Sequence, residues 1–141
     1  MYPENIKYTG CFFELQLLQA HLERYDRNPL VCPISHPHVT FVYRPEEVPA
    51  MLFGQRVTVR AIGYGCDGEN EALQVEFADL PDCLKPYTGD IAIPHITLSI
   101  AGSAKAVNSR YLEFKPIVPF PLTGIFGGMD EAGTVHTEAF L

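Results

Sequence analysis

The residues best suited to chemistry in this sequence come as a matched pair. Pro37-His38-Val39-Thr40-Phe41 recurs further along as Pro94-His95-Ile96-Thr97-Leu98. Imidazole has an ordinary pKa of about 6.5, so two of them can act as general base and general acid in one reaction near neutral pH. A threonine hydroxyl beside each can donate a hydrogen bond to a non-bridging oxygen of a phosphate held between them. The chemistry this set supports is in-line attack on phosphorus. One histidine would deprotonate the attacking nucleophile, and the other would protonate the departing oxygen. Which of His38 and His95 is base and which is acid depends on how the substrate lies, and stays open. One His-x-Thr on the polar side of a strand is ordinarily only a solvated face. Two copies that share proline, histidine, threonine and apolar interleaving are harder to explain that way.

That chemistry requires both motifs to lie in strands, where residues i and i+2 project to the same side. The stretch 38–43 is rich in β-branched and aromatic residues and is stopped by Arg44-Pro45. His38 and Thr40 then share one face, and Val39 and Phe41 the other. The stretch 93–100 is the matching strand, with His95, Thr97 and Ser99 on one face and Ile96, Leu98 and Ile100 on the other. Further strands are predicted at 8–17, 55–64, 73–77 and 122–126, the last ended by Gly127-Gly128. A short helix is expected over 17–25, where Leu18, Leu22 and Tyr25 recur at helical spacing, and a helical turn over 109–114 capped by Asn108. Six or so strands and two short helices make an α+β domain built on antiparallel sheet. Nothing reads as a linker, because the 12 prolines and 11 glycines are spread along the chain. Residues 1–141 are one domain.

Several other residues could join the site. Arg44 has the strand parity of His38 and could reach a phosphate. Lys105, in the loop after the second motif, could do the same, and Ser99 shares the face of His95. His36 could share the face of His38, but Pro37 interrupts the pair and no carboxylate lies nearby, so a loop histidine at the cleft edge is preferred to a metal ligand. His21 and His136 read as solvated surface. Tyr43 falls on the Val39/Phe41 face, as core or edge. Tyr8, Phe13, Tyr64 and Tyr87 are aromatics that could stack on a base, with nothing in the sequence to choose among them. Gly63-Tyr64-Gly65-Cys66-Asp67-Gly68 fits the dinucleotide pattern G-x-G-x-x-G, but a period-two strand follows where that motif needs a helix, so a hairpin is expected. Gly124-Ile125-Phe126-Gly127-Gly128 lacks the lysine of a phosphate loop. The 4 cysteines are not clustered as zinc ligands would be and read as reduced, mostly buried thiols.

The two motifs resemble those of the two-histidine (2H) phosphoesterases, whose defining feature is a pair of His-x-Thr/Ser motifs, each followed by an apolar residue, one from each of two lobes. The matching residues are His38-Val39-Thr40-Phe41 and His95-Ile96-Thr97-Leu98. The resemblance implies a pseudo-twofold, two-lobed α+β fold, with short flanking helices and antiparallel sheets on either side of a central cleft. It implies catalytic roles for His38 and His95, phosphate binding by Thr40 and Thr97, and neither metal nor cofactor. The implied activity is that of a phosphodiesterase on a 2′,3′-cyclic nucleotide or RNA-terminal cyclic phosphate. This chain looks closer to the compact branches, which include RNA-repair phosphodiesterases and phage enzymes that degrade cyclic oligonucleotide signals. Hydrolysis of a cyclic oligonucleotide is therefore the alternative. Two rivals of other classes are a non-catalytic phosphate- or nucleotide-binding module of the same fold, and a metal-dependent hydrolase using His36, His38 and a remote carboxylate.

Composition bounds these readings. The 141 residues carry 10 Lys+Arg against 17 Asp+Glu, a formal net charge of −7. That balance argues against holding long duplex nucleic acid, whose binding is dominated by phosphate neutralisation, but permits a small phosphate ligand or an RNA end. No run approaches the roughly 20 apolar residues of a membrane span, and the N-terminus lacks the form of a secretory signal. A cytoplasmic monomer is expected.

Overall fold

Among the described residues the period-two alternation of the sequence becomes eight strands. The structure, a computed structural model, describes residues 5–89 and 91–138. The strands are β1 (Ile6–Phe12), β2 (Cys32–Pro33), β3 (His38–Tyr43), β4 (Arg56–Cys66), β5 (Asn70–Asp79), β6 (His95–Ile100), β7 (Lys115–Asp130) and β8 (Val135–His136). One α-helix, α1 (Leu15–Leu22), follows β1, and short 3-10 turns span Ala50–Leu52, Asp82–Tyr87 and Ala106–Tyr111. The fold is α+β and mostly antiparallel sheet. Among the described residues no helix is long and apolar enough to cross a membrane.

Every strand pair is antiparallel, in the order β2-β6-β5-β4-β7-β1-β3, with β8 added to β7. This is one hydrogen-bonded path rather than two separate sheets, and β7 is what joins its parts. β4 pairs with β7 from Lys115 to Ile125, whereas β1 pairs with it from Ile125 to Asp130. The two ladders overlap at Ile125 alone.

That stagger explains a strand the sequence reading cut short. Pro116, Pro119 and Pro121 lie in the part of β7 that has only β4 beside it, where the missing proline N–H can face an open edge. Nor do Gly127 and Gly128 end the strand. A Cβ on Gly127 would fall 2.2 Å from the His136 carbonyl oxygen, so glycine is what lets β8 lie close. The chain beyond therefore forms an additional strand instead of a loose tail.

The two ends of the path meet. β2 pairs with the end of β6, and only residues 34–37 separate β2 from β3 at the other end of the path. Five Cα steps span at most about 18 Å, so the sheet must curl until β3 comes beside β6. Ile34 donates its N–H to the Leu98 carbonyl along the way, at 2.9 Å, and β3 and β6 are in contact. The enclosed core takes Val39 and Phe41 from β3, Val57, Val59 and Ala61 from β4, Leu73 and Val75 from β5, Ile96 and Leu98 from β6, and Phe126 from β7. An eight-residue helix is marginal by itself in water. Leu18 and Leu22 bury one face of α1 in that core and hold it there.

Smaller corrections have local causes. The turn at 106–111 is a 3-10 turn preceded by Lys105, with no side-chain cap, so Asn108 lies inside it. Of the cysteines, Cys11 is buried, Cys66 is half-buried, and Cys32 and Cys83 are exposed. His21 stacks on Phe120 with ring centroids 4.4 Å apart. His136 is half-buried in β8, its Nε2 2.8 Å from Asp130 Oδ2. Neither histidine is a freely solvated side chain. Gly63, Gly65 and Gly68 serve the β4–β5 hairpin, as expected: Gly68 has a φ of +86° in the turn, and a Cβ on Gly65 would crowd Leu112 and Glu113.

Candidate functional site

The two motif histidines adopt the same local pose. His38 Nδ1 lies 2.8 Å from the His36 carbonyl oxygen, and His95 Nδ1 lies 3.0 Å from the Ile93 carbonyl oxygen. In both, the acceptor belongs to the residue two positions earlier, on the far side of the shared proline. A carbonyl can only accept, so each Nδ1 carries a proton and each Nε2 is left to take or give the other one. The histidine, the proline and the strand that follows thus suffice to fix ring orientation and tautomer.

The surroundings of the two rings differ. Phe12 pairs with His38 across β1 and β3. Tyr8 stacks on the His38 ring at 4.7 Å between centroids, and the Phe12 ring lies 5.5 Å away. Burial pushes the Tyr8 hydroxyl up to about 12, so it remains a protonated phenol beside the imidazole. Thr40 is half-buried on the same side of β3. On β6 both faces are covered. Thr97 is only 7% exposed, and its Oγ1 lies 2.8 Å from Ser109 Oγ and 3.2 Å from the Ala106 carbonyl oxygen.

Burial lowers the pKa of both motif histidines below the ordinary 6.5. The His36 carbonyl pulls His38 the other way, and the charge His95 can carry lowers it further, as does His36. The Ile93 carbonyl likewise opposes the shift of His95, to which the Arg110 guanidinium adds. The charge His95 can carry acts on His38 across strands β3 and β6, which are in contact. Both are therefore predominantly neutral near pH 7, and an anion placed between them would favour charging one.

The remaining candidates fall out unequally. His36 is exposed and contributes its backbone carbonyl to His38. Lys105 is exposed, and its carbonyl accepts a hydrogen bond from Asn70 Nδ2 at 2.9 Å. Arg44 does not keep the parity of His38. β3 ends at Tyr43, Arg44 takes a left-handed φ of 49°, and its guanidinium pairs with Glu131. Tyr43 is exposed at the strand edge. Ser99 is buried, with its hydroxyl committed: it donates to Glu71 Oε1 at 2.7 Å and accepts from the Leu30 N–H at 2.9 Å. Among the described residues no group of three or more His, Cys, Asp or Glu could hold a metal ion.

Two features escaped the sequence reading. The first is Glu71, whose side chain is wholly buried on β5. Arg27 donates to it through Nε at 3.0 Å and Nη2 at 2.8 Å, and the Tyr64 hydroxyl donates at 2.6 Å. Burial alone would raise the Glu71 carboxyl, but the donors from Arg27, Tyr64 and Ser99 hold it below its ordinary value. With Asn28 N–H donating to the Tyr64 oxygen, the cluster pins the segment leading to β2 and the first motif against β5 and β6. It also removes Tyr64 from the aromatics free to stack on a base. The second is the pair Arg110-Tyr111 on the turn that covers Thr97. The adjacent arginine and tyrosine are visible in the sequence, but within a stretch that reads as a helical turn nothing singles them out. No protein-family model matches this chain and no curated protein matches its sequence, so its activity has to be read from these residues.

Proposed function

We propose that the protein is a metal-independent phosphodiesterase that opens a 2′,3′-cyclic phosphate on a nucleotide or RNA end by paired-histidine acid–base catalysis. In this reading a pseudo-twofold axis runs between β3 and β6. The observation that carries it is the repeated pose of His38 and His95. Each ring is held through Nδ1 by the carbonyl two residues back, and the two strands that carry the rings are brought into contact by the curl of the sheet.

The proton balance is simple. A cyclic phosphodiester is a monoanion, and its arrival favours the imidazolium form of one histidine while the other stays neutral. The neutral Nε2 takes a proton from water as its oxygen attacks phosphorus, and the charged Nε2–H gives its proton to the ribose oxygen that departs. The product is a nucleoside 2′- or 3′-monophosphate. The histidines finish with their protonation states exchanged and reset through solvent. Thr40 donates to a non-bridging oxygen and stabilises the charge that develops there, an effect of about 1–3 kcal/mol for one well-placed donor.

The test is turnover of 2′,3′-cyclic nucleotides, a short RNA ending in a 2′,3′-cyclic phosphate, and cyclic oligonucleotides, with chelator present throughout. Hydrolysis of a terminal cyclic phosphate that disappears in both His38→Ala and His95→Ala supports the reading. Binding of these ligands without hydrolysis at any pH between 5 and 8 would leave a nucleotide-binding module instead.

A further inference from the structure

The repeat leads one to expect Thr97 to mirror Thr40 as a phosphate donor. The structure gives its hydroxyl other partners. Thr97 Oγ1 is shared between Ser109 Oγ and the Ala106 carbonyl. The turn that supplies them is itself fastened, because Asn70 Nδ2 donates both to the Lys105 carbonyl at 2.9 Å and to Ser109 Oγ at 3.2 Å. Asn70 and Ser109 are both buried. The Ser109–Thr97 contact therefore joins a rigid turn to the motif strand.

The next residue on that turn is Arg110. Its Cα is one step, about 3.8 Å, beyond that of Ser109, and His95 lies two strand residues, about 7 Å, from Thr97 on the same face. An arginine side chain is long enough to reach across such a span, and the Arg110 charge lowers the pKa of His95. The guanidinium carbon lies 4.7 Å from the centroid of the Tyr111 ring, and Nη2 donates to the Tyr111 hydroxyl at 2.7 Å. Among the described residues no carboxylate pairs with Arg110, as is also true of Arg24 and Arg56, whereas Arg27, Arg44 and Arg60 each have one. An unpaired cation beside an imidazole that must itself become charged is unfavourable until an anion lies between them.

Resting on the phosphodiesterase reading, we infer that Arg110 is the phosphate-binding residue on the His95 side of the cleft, in the place the repeat assigns to Thr97. The Ser109–Thr97 hydrogen bond is the strut that sets it there. The planar guanidinium can give two parallel N–H donors to two non-bridging oxygens, which one hydroxyl cannot do. Tyr111 holds the fork through its ring face and hydroxyl, and Thr97 is a positioning residue.

The experiment uses the full chain with inorganic phosphate as probe, following the His38 and His95 ring nitrogens by NMR across a phosphate titration. Arg110→Gln should weaken phosphate by about tenfold or more, because a charge-assisted pair of donors is lost. It should also let His95 protonate at higher pH, a shift that simple loosening of the turn would not produce. Arg110→Lys should restore the His95 midpoint but only part of the affinity. Thr97→Val, which keeps the shape and removes the hydroxyl, should cost less than Arg110→Gln. Arg110 is exposed, so a folded variant is expected, with circular dichroism as the control. An Arg110→Gln protein that binds phosphate like the wild type overturns the inference while leaving the two-histidine reading standing. A wild-type protein whose histidine resonances ignore phosphate overturns both.

Discussion

The two copies of the His-x-Thr motif share a sequence and a ring pose but differ in their surroundings. The first lies on β3, with β1 on one edge, its histidine walled by the Tyr8 and Phe12 rings and its threonine half-open. The second lies on β6, covered on both faces, its threonine joined to Ser109 and through it to Asn70. A short repeat can fix what depends on neighbours in the chain, here the carbonyl two residues back that holds each imidazole. It cannot fix what packs on top, which comes from elements far away in sequence. The first copy is surrounded by aromatic surface and the second by polar and cationic groups, so in the proposed site the two would divide the labour of holding a ligand.

The largest expected effect lies outside the motifs, in the clamp that keeps the halves in register. Glu71→Ala removes the shared acceptor of Arg27, Tyr64 and Ser99 and should cost about 3–5 kcal/mol of stability, read as a lower denaturation midpoint. A loss below about 1 kcal/mol would mean that the cluster does not hold the segment before β2. Next come the histidines, which test what the halves have in common. His38→Ala and His95→Ala should each lower kcat by about 10² or more, and the double variant should be little worse than either, since the two act as a unit. A folded His95→Ala enzyme with near wild-type kcat would sink the paired mechanism.

The pH profile sharpens the same point. Both imidazoles sit below 6.5 in the folded protein, and the reaction needs one neutral and one charged. The free-enzyme profile, kcat/KM, should therefore peak below pH 6.5, falling on the acid side as the base gains its proton and on the alkaline side as the acid loses its own. With phosphate bound the charged form is favoured, so the kcat profile should lie at higher pH. Coincident kcat and kcat/KM profiles with optima above about pH 7 would contradict the burial of the two rings.

The threonines test the difference between the halves. Thr40→Ala should reduce kcat/KM by the equivalent of about 1–3 kcal/mol with little change in stability. Thr97→Ala should also lower stability, by about 1 kcal/mol, because it leaves buried Ser109 short of a partner. Equal and purely kinetic losses at the two positions would restore the symmetric picture. His36→Ala is expected to do least, within about 0.5 kcal/mol, because the contact to His38 is made by the backbone.

The alternation in the sequence was enough to locate β3 exactly where it lies and to place β4, β5 and β6 to within a few residues, because the period of two survives in strands covered on one or both faces. β7 was not legible in full. Its prolines argue against a strand unless one knows that a neighbour is missing on one edge. β2 and β8, with two residues each, exist only because partners at 99–100 and 128–129 are there to receive them. At the site, His38, His95 and Thr40 could be read from spacing. Glu71 could not, since a glutamate in a strand that alternates polar and apolar residues looks solvent-facing. Only the folding back of Arg27 turns it into the centre of a buried cluster. The parity argument for Arg44 failed for a related reason, as parity holds only while the backbone stays extended.

The four-residue closure between β2 and β3 has a consequence for how the protein is made. His38 lies on β3 at one end of the strand path and His95 on β6, the neighbour of β2 at the other, so no hairpin and no single ladder contains both. Local pairs such as β4 with β5 can form early, at small cost in chain entropy, whereas the apposition of β3 with β6 waits on the long-range pairing of 32–33 with 99–100. In refolding, the catalysis proposed for the paired histidines should trail the burial of the core, and a chain stalled one step short would look structured by spectroscopy with the two motifs still apart.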